Sequence, residues 1–228
     1  MPVLMYHRIA DDGPEGLARW RVTPADFERQ LAWLADSGFT TSGLDDWHTA
    51  SQRDPTAVAR RVVLTFDDAY RDFVTTAFPL LQLHGFGATM FVPTGFMGGA
   101  AEWDQEFGPP AALMSWQELD SLVAAGVEIG AHTVTHPRLD EIADEATIAA
   151  EVTRSREVLE ARYRQPIPTF AYPYGRHDER VAGIVADAGF HLAVTIEPAS
   201  AGPFALGRLG IYGTESFDAF VAKVIAAA

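Results

Sequence analysis

The stretch Val62-Val63-Leu64-Thr65-Phe66-Asp67-Asp68 is an apolar, β-branched run that ends abruptly in two carboxylates. A short run of this kind reads as a strand buried on both faces, as in parallel sheets covered by helices. Outward from it the pattern repeats. Further strands are expected at residues 3–6, 39–41, 88–92, 127–131, 169–172, 191–195 and 206–211. Helical segments alternate with them. Thr23-Pro24-Ala25-Asp26 opens a helix that closes at Gly38, and Ser115-Trp116-Gln117-Glu118 is a capping box for one that stops at Gly126. Others are expected at 44–50, between Asp68 and Gly85, at 144–163, at 178–188 and at 216–226. Residues 93–114 read as a long loop rich in glycine and proline.

Repeated βα units favour parallel strands and right-handed crossovers, in either a barrel or an open doubly wound sheet. His7, Asp67, Asp68, His132 and Tyr174 each fall just beyond the end of an expected strand. In a (β/α) barrel those ends share one rim, where a site is built. The barrel therefore accounts for the pattern best, as a single domain over residues 1–228.

Composition narrows the function. A net charge of −14 argues against nucleic acid and anionic membrane surfaces, and the absence of cysteine excludes disulfides and thiolate metal sites. No apolar run approaches the roughly 20 residues of a membrane span, and the start lacks the features of a signal peptide. A cytoplasmic, soluble protein is the expectation; a trimmed form of an exported one would read the same.

Two carboxylates and two imidazoles carry the chemistry. Adjacent residues leaving a strand point in different directions, so one of Asp67 and Asp68 can bind a metal while the other faces substrate as a base. His132 and His136 stand four apart, a separation that brings side chains together on a helical turn, and imidazole suits zinc and related divalent metals. Three protein ligands with a separate base leave an open coordination position, as in catalytic metal sites. His7, just past the first strand, is placed to protonate a leaving amine. Alone, each motif has a plainer reading: a helix cap for Asp-Asp, a surface pair for the histidines, a buried hydrogen-bonded side chain for His7.

Together these motifs resemble the polysaccharide deacetylases of carbohydrate esterase family 4, over residues 3–212. Thr65–Asp68 resembles the family's first motif, and His132-Thr133-Val134-Thr135-His136 its second. The resemblance implies a distorted (β/α) barrel of seven or eight strands. It also implies a hydrolase acting on carbon–nitrogen bonds other than peptide bonds, which removes N-acetyl groups from a sugar, oligosaccharide or glycan intermediate and releases acetate. Asp68, His132 and His136 would hold a divalent ion, zinc first, with nickel, cobalt, manganese and iron as alternatives. Asp67 would be the base, His7 the acid, and the backbone N–H of Tyr174 a donor to the oxyanion.

Two departures stand out. Ala171 occupies the position of the family's third-motif arginine, and the C-terminal Leu-x-His motif is missing after Arg208. Both are shared with a branch resembling the poly-N-acetylglucosamine deacetylases, in which the acid comes from an N-terminal Tyr-His like Tyr6-His7. Arg208 either aims inward at Asp67 in place of the missing arginine or is a surface or structural residue. Trp103, Asp104 and Phe107 either line a sugar cleft or pack their loop on the barrel; Trp103 and Asp104 are taken as substrate-binding, as is Tyr172, which faces either pocket or core. Rival readings are an O-acetyl esterase or small-amide amidase of the same fold, and a carbohydrate-binding protein without catalysis.

Overall fold

The computed structural model describes residues 2–197 and 202–228. Its strands are β1 (Val3–Tyr6), β2 (Arg8–Ile9), β3 (Arg21–Val22), β4 (Thr40–Ser42), β5 (Arg61–Phe66), β6 (Thr89–Val92), β7 (Glu128–Ala131), β8 (Thr169–Ala171), β9 (Leu192–Thr195), β10 (Leu206–Gly207) and β11 (Leu209–Gly210). The helices are α1 (Pro24–Asp36), α2 (Leu44–Arg53), α3 (Phe78–Leu83), α4 (Trp116–Ala124), α5 (Glu145–Tyr163), α6 (Glu179–Asp187) and α7 (Phe217–Ala227).

Nine strands form one sheet in the order β10-β9-β8-β7-β6-β5-β1-β11, with β4 also on β5. Every pairing in it is parallel. The expected strand over 206–211 is split at Arg208: β10 pairs with β9, and β11 pairs with β1. One short stretch of chain thus spans both ends of the sheet and nearly closes it into the distorted barrel expected from the sequence.

The period-2 rule sorts β5 cleanly. Val62, Leu64 and Phe66 belong to the large core shared with Phe27, Leu31 and Leu34 of α1. Val63 belongs instead to a small cluster with Val3, Phe91, Ala171, Leu192 and Val194, the packed interior of the barrel. Thr65 and Asp67 continue that inward face. Gly130 of β7 is required by this packing, because a Cβ there would lie 2.4 Å from the Phe91 ring and 2.6 Å from Thr169 Oγ1.

Helix starts follow the sequence signals. Thr23 caps α1, Ser115 and Glu118 form the capping box of α4, and Asp144, Asp178 and Ser216 cap α5, α6 and α7. The helix expected after Asp68 is two pieces: a wide π-helical turn, Phe73–Ala77, precedes α3. Pro79 has no N–H to return to the preceding turn, which accounts for the widening.

Helix α2 is capped from outside. Gly43 offers it no side chain, and Glu128 Oε1 accepts from the Leu44 and Asp45 N–H groups at 2.9 and 3.2 Å and from Thr89 Oγ1 at 3.0 Å. Burial pushes this carboxyl up to about 7, against those hydrogen bonds. An acid whose folded pKa exceeds its unfolded value of about 4.3 binds more protons when folded, so its contribution is lost as pH rises through 7. Glu128→Gln should therefore flatten the fall in urea midpoint between pH 5 and pH 8. An unchanged pH slope in the variant would assign that fall to other groups.

Candidate active site

Arg208 is fully buried and reaches across the barrel interior to Asp67. Its Nη1 and Nη2 donate to the two carboxylate oxygens at 2.7 Å each, a bidentate pair. Nη1 also donates to Thr65 Oγ1 at 3.1 Å and Nε to the Thr195 carbonyl at 3.2 Å. Burial alone would raise the Asp67 pKa, but the charge and hydrogen bonds of Arg208 override it and hold the carboxyl below its ordinary range. The side chain of Arg208 therefore points inward, at Asp67.

Asp68 turns away from its neighbour. Asp68 and Ala69 both have left-handed backbone, φ 74° and 55°, which swings the second carboxylate off the line of the strand. Its Oδ1 lies 3.3 Å from His132 Nε2 and 3.1 Å from His136 Nε2. The histidine loop is not the helical turn that the four-residue spacing suggested. It is held by left-handed Thr133 and His136, by the His136 N–H donating to Thr133 Oγ1, and by Glu151 of α5. The Glu151 carboxylate accepts from the Val134 and Thr135 N–H groups at 2.8 Å each and from Thr135 Oγ1 at 2.7 Å.

The Asp68, His132 and His136 ligand atoms lie within 4.8 Å of one another, all buried. His132 Nδ1 is 2.7 Å from the Ala171 carbonyl, which can only accept, so Nδ1 carries the proton and Nε2 turns its lone pair toward Asp68. Asp68 Oδ1 is buried without a hydrogen-bond partner. Acceptors converging in a dry site are costly unless a cation lies between them, and two imidazoles with a carboxylate suit a divalent one. The electrostatics agree. Burial opposes the charge on Asp68, yet the imidazoles, where they carry a second proton, hold its pKa well below the ordinary value. Burial lowers His136, whereas at His132 the field of Asp68 and Asp67 outweighs burial and raises it. That negative field is what draws a cation.

A cleft of about 250 Å³ opens over this group. His7 lines it, with Nε2 4.0 Å from Asp67 Oδ2; burial lowers its pKa against the pull of the two carboxylates. Asp72 fixes the following residues, accepting from Arg8 Nε at 2.7 Å and from the Ile9 N–H at 3.0 Å. Tyr174 lines the cleft too, left-handed at φ 58°, with its ring 4.7 Å from that of His136. Trp103 and Asp104 are on the wall, and Trp103 also packs against the cluster of Tyr70 with Ala101 and Leu113 of its own loop. Burial pushes the Asp104 carboxyl up to about 6, while the Tyr70 hydroxyl donates to it at 2.8 Å.

Tyr172 is a correction. Its side chain belongs to the outer core with Phe170, its ring stacks on His177, and its hydroxyl donates to the Phe204 carbonyl. Along β8 the inward position is Ala171, so the residues on either side face out. Trp20, Leu17, Tyr70 and Arg138 also line the cleft and were not singled out from the sequence. Tyr70 and Arg138 follow the two motifs closely enough to be found by proximity; nothing local marks the turn bearing Leu17 and Trp20.

Glu151 touches no ligand atom but sets the loop between two of them. Glu151→Ala should weaken binding of a divalent ion about tenfold in a direct titration. Undiminished affinity would show that the loop holds its shape without the carboxylate.

Comparison with known proteins agrees with this geometry. The Polysaccharide deacetylase family matches residues 54–193. The chain is 25% identical to the poly-beta-1,6-N-acetyl-D-glucosamine N-deacetylase of Staphylococcus aureus, over 88% of this chain and 73% of that protein. Among solved structures, deacetylase PplD of Streptococcus pyogenes in complex with acetate superimposes with a TM-score of 0.83 at 28% identity, covering 97% of this chain and 96% of that one. BC0361, a polysaccharide deacetylase from Bacillus cereus, gives 0.80 at 28% identity, covering 98% and 68%. With the match spanning more than half its length and the fold shared throughout, the chain belongs to the polysaccharide deacetylase family.

Proposed function

We propose that the chain is a metal-dependent hydrolase that removes the N-acetyl group from an N-acetylated sugar, oligosaccharide or glycan intermediate. One observation carries the reading: two adjacent carboxylates are held for different work, Asp67 by a bidentate arginine and Asp68 between two imidazoles. The Staphylococcus aureus relative is named for N-deacetylation of such a glycan, and the Streptococcus pyogenes deacetylase was solved in complex with acetate, the acid that this reaction would release, which supports the reaction class.

Asp68, His132 and His136 are the residues to hold a divalent ion, zinc first among those that imidazole favours. When bound, the ion supplies Lewis acidity that polarises an acetamide carbonyl and eases deprotonation of water. Asp67 accepts the proton of the attacking water, whose oxygen bonds to the acetyl carbon. The backbone N–H of Tyr174, on the cleft wall, donates to the oxygen that gains charge. His7 gives a proton to the nitrogen as the carbon–nitrogen bond breaks, leaving a primary amine and acetic acid, whose remaining proton passes to the amine or to solvent as acetate leaves. The proton on Asp67 then returns to His7, 4.0 Å away, and the balance closes. Trp103 and Asp104 are placed to contact the sugar, and Arg208 acts through Asp67 as a positioning residue.

The direct test is release of acetate from N- and O-acetylated sugars by metal-stripped and metal-restored protein. Expected is acetate with an equal amount of new amine, only from N-acetylated substrates and only with metal. Release from O-acetyl sugars alone, or silence with metal bound, would contradict the proposal. Asp67→Asn should lower kcat by about 10²–10⁴-fold while metal affinity persists.

Arg208 has its own signature in the pH profile. Asp67 works as a base only when ionised, and Arg208 holds its pKa down. With the guanidinium gone, burial pushes that pKa up, so Arg208→Met should move the acid limb of kcat/KM to higher pH. Arg208→Lys keeps a charge and should move it less. An acid limb unmoved in the folded Met variant would reduce Arg208 to a structural role.

A further inference from the structure

Two turns far apart in sequence build one wall of the cleft. Glu15–Trp20 and Glu102–Phe107 are short 3-10 turns, and both line the same cleft as the Asp-His-His group. The first stands on His7, whose ring is 4.7 Å from that of Trp20, and the β2–β3 pairing ties down its flanks. The second stands on His136, whose ring is 4.3 Å from that of Trp103, and the Tyr70–Asp104 hydrogen bond fixes it there.

The far ends of the turns meet. A Cβ on Gly16 would fall 2.6 Å from Phe107 Cδ1, so only a residue without a side chain lets the phenyl ring sit there. Beside it, a Cβ on Gly108 would lie 3.2 Å from Pro14 Cγ. The first turn thus runs from Trp20 on His7 to Gly16, the second from Trp103 on His136 to Phe107, and Gly16 and Phe107 meet between them. The result is an arch standing on residues of the site itself.

We infer that this arch closes one end of the cleft, so that the site takes the terminal residue of an N-acetylated glycan, or a free N-acetylated sugar, and excludes residues inside a chain. The inference rests on the proposed N-deacetylation. An internal residue carries a neighbour on each side and needs a groove open at both ends. The two turns meet on one side of the cleft, so a chain bound in the site would have to leave by another. A cleft of about 250 Å³ has room for a sugar ring with its acetamido group.

The test compares two oligomers of N-acetylglucosamine of equal length, one linear and one closed into a ring that has no ends. Wild-type, metal-loaded protein should release acetate from the linear oligomer at a terminal residue, located by mass-spectrometric sequencing, and leave the ring untouched. Phe107→Ala removes the meeting point and should raise the ring-to-linear rate ratio about tenfold. Equal processing of ring and linear oligomer by the wild type, or acetate lost from internal residues, overturns the inference, whether or not the variant folds. Binding to Asp67→Asn, followed by tryptophan fluorescence, reads the arch without turnover: the linear oligomer should bind and the ring should not. Equal binding of both overturns the arch. Selective binding of the linear oligomer with no acetate release by the wild type would sustain the arch and contradict N-deacetylation.

Discussion

The bidentate pair between Arg208 and Asp67 joins the closure of the barrel to the chemistry at its rim. Arg208 sits at the single residue between β10 and β11, where the chain passes from pairing with β9 to pairing with β1. A guanidinium there has no water, and its hydrogen bonds go to Asp67, Thr65 and the Thr195 carbonyl. Removing one partner from such a buried pair typically costs about 3–5 kcal/mol, because the other charge is left uncompensated. Neither residue is therefore free to change alone. The same contact keeps a buried carboxylate ionised, which burial by itself would oppose.

From that pair the division of labour follows by geometry. Thr65 and Asp67 share the inward face of β5 because side chains alternate along a strand. Asp68 would face outward if the strand continued. The left-handed residues Asp68 and Ala69 break the strand there and carry the second carboxylate to the histidines. Thr133, His136 and Tyr174 are left-handed as well, so this strain gathers around the site. Each such residue costs about 1–3 kcal/mol and persists only where surroundings fix it. Fixing groups are visible at two of these places: Glu151 accepts from the Val134 and Thr135 N–H groups between Thr133 and His136, and the Met114 N–H donates to the Ala69 carbonyl.

The barrel and its ligand group were legible because both rest on local rules. Buried parallel strands announce themselves as apolar runs, and residues just past their ends share a rim. Where the sequence misled, the cause was a single register step or a contact across the fold. Tyr172 is one residue from the inward position of β8, which flips it to the outer core. The histidine pair was rightly joined but for the wrong reason, since a loop and not a helical turn brings the rings together. The direction of Arg208 depends on barrel closure, which no local pattern encodes. The turn bearing Trp20 gains its meaning only from Phe107, some ninety residues away in the chain.

The proposed site puts the ion on Asp68, His132 and His136 and leaves Asp67 with Arg208. Anomalous diffraction from crystals grown with a divalent metal tests it most directly. One strong peak is expected within bonding distance of Asp68, His132 and His136, with the Asp67–Arg208 pair intact. A peak ligated by Asp67, or no ion at this group under saturating metal, would contradict it.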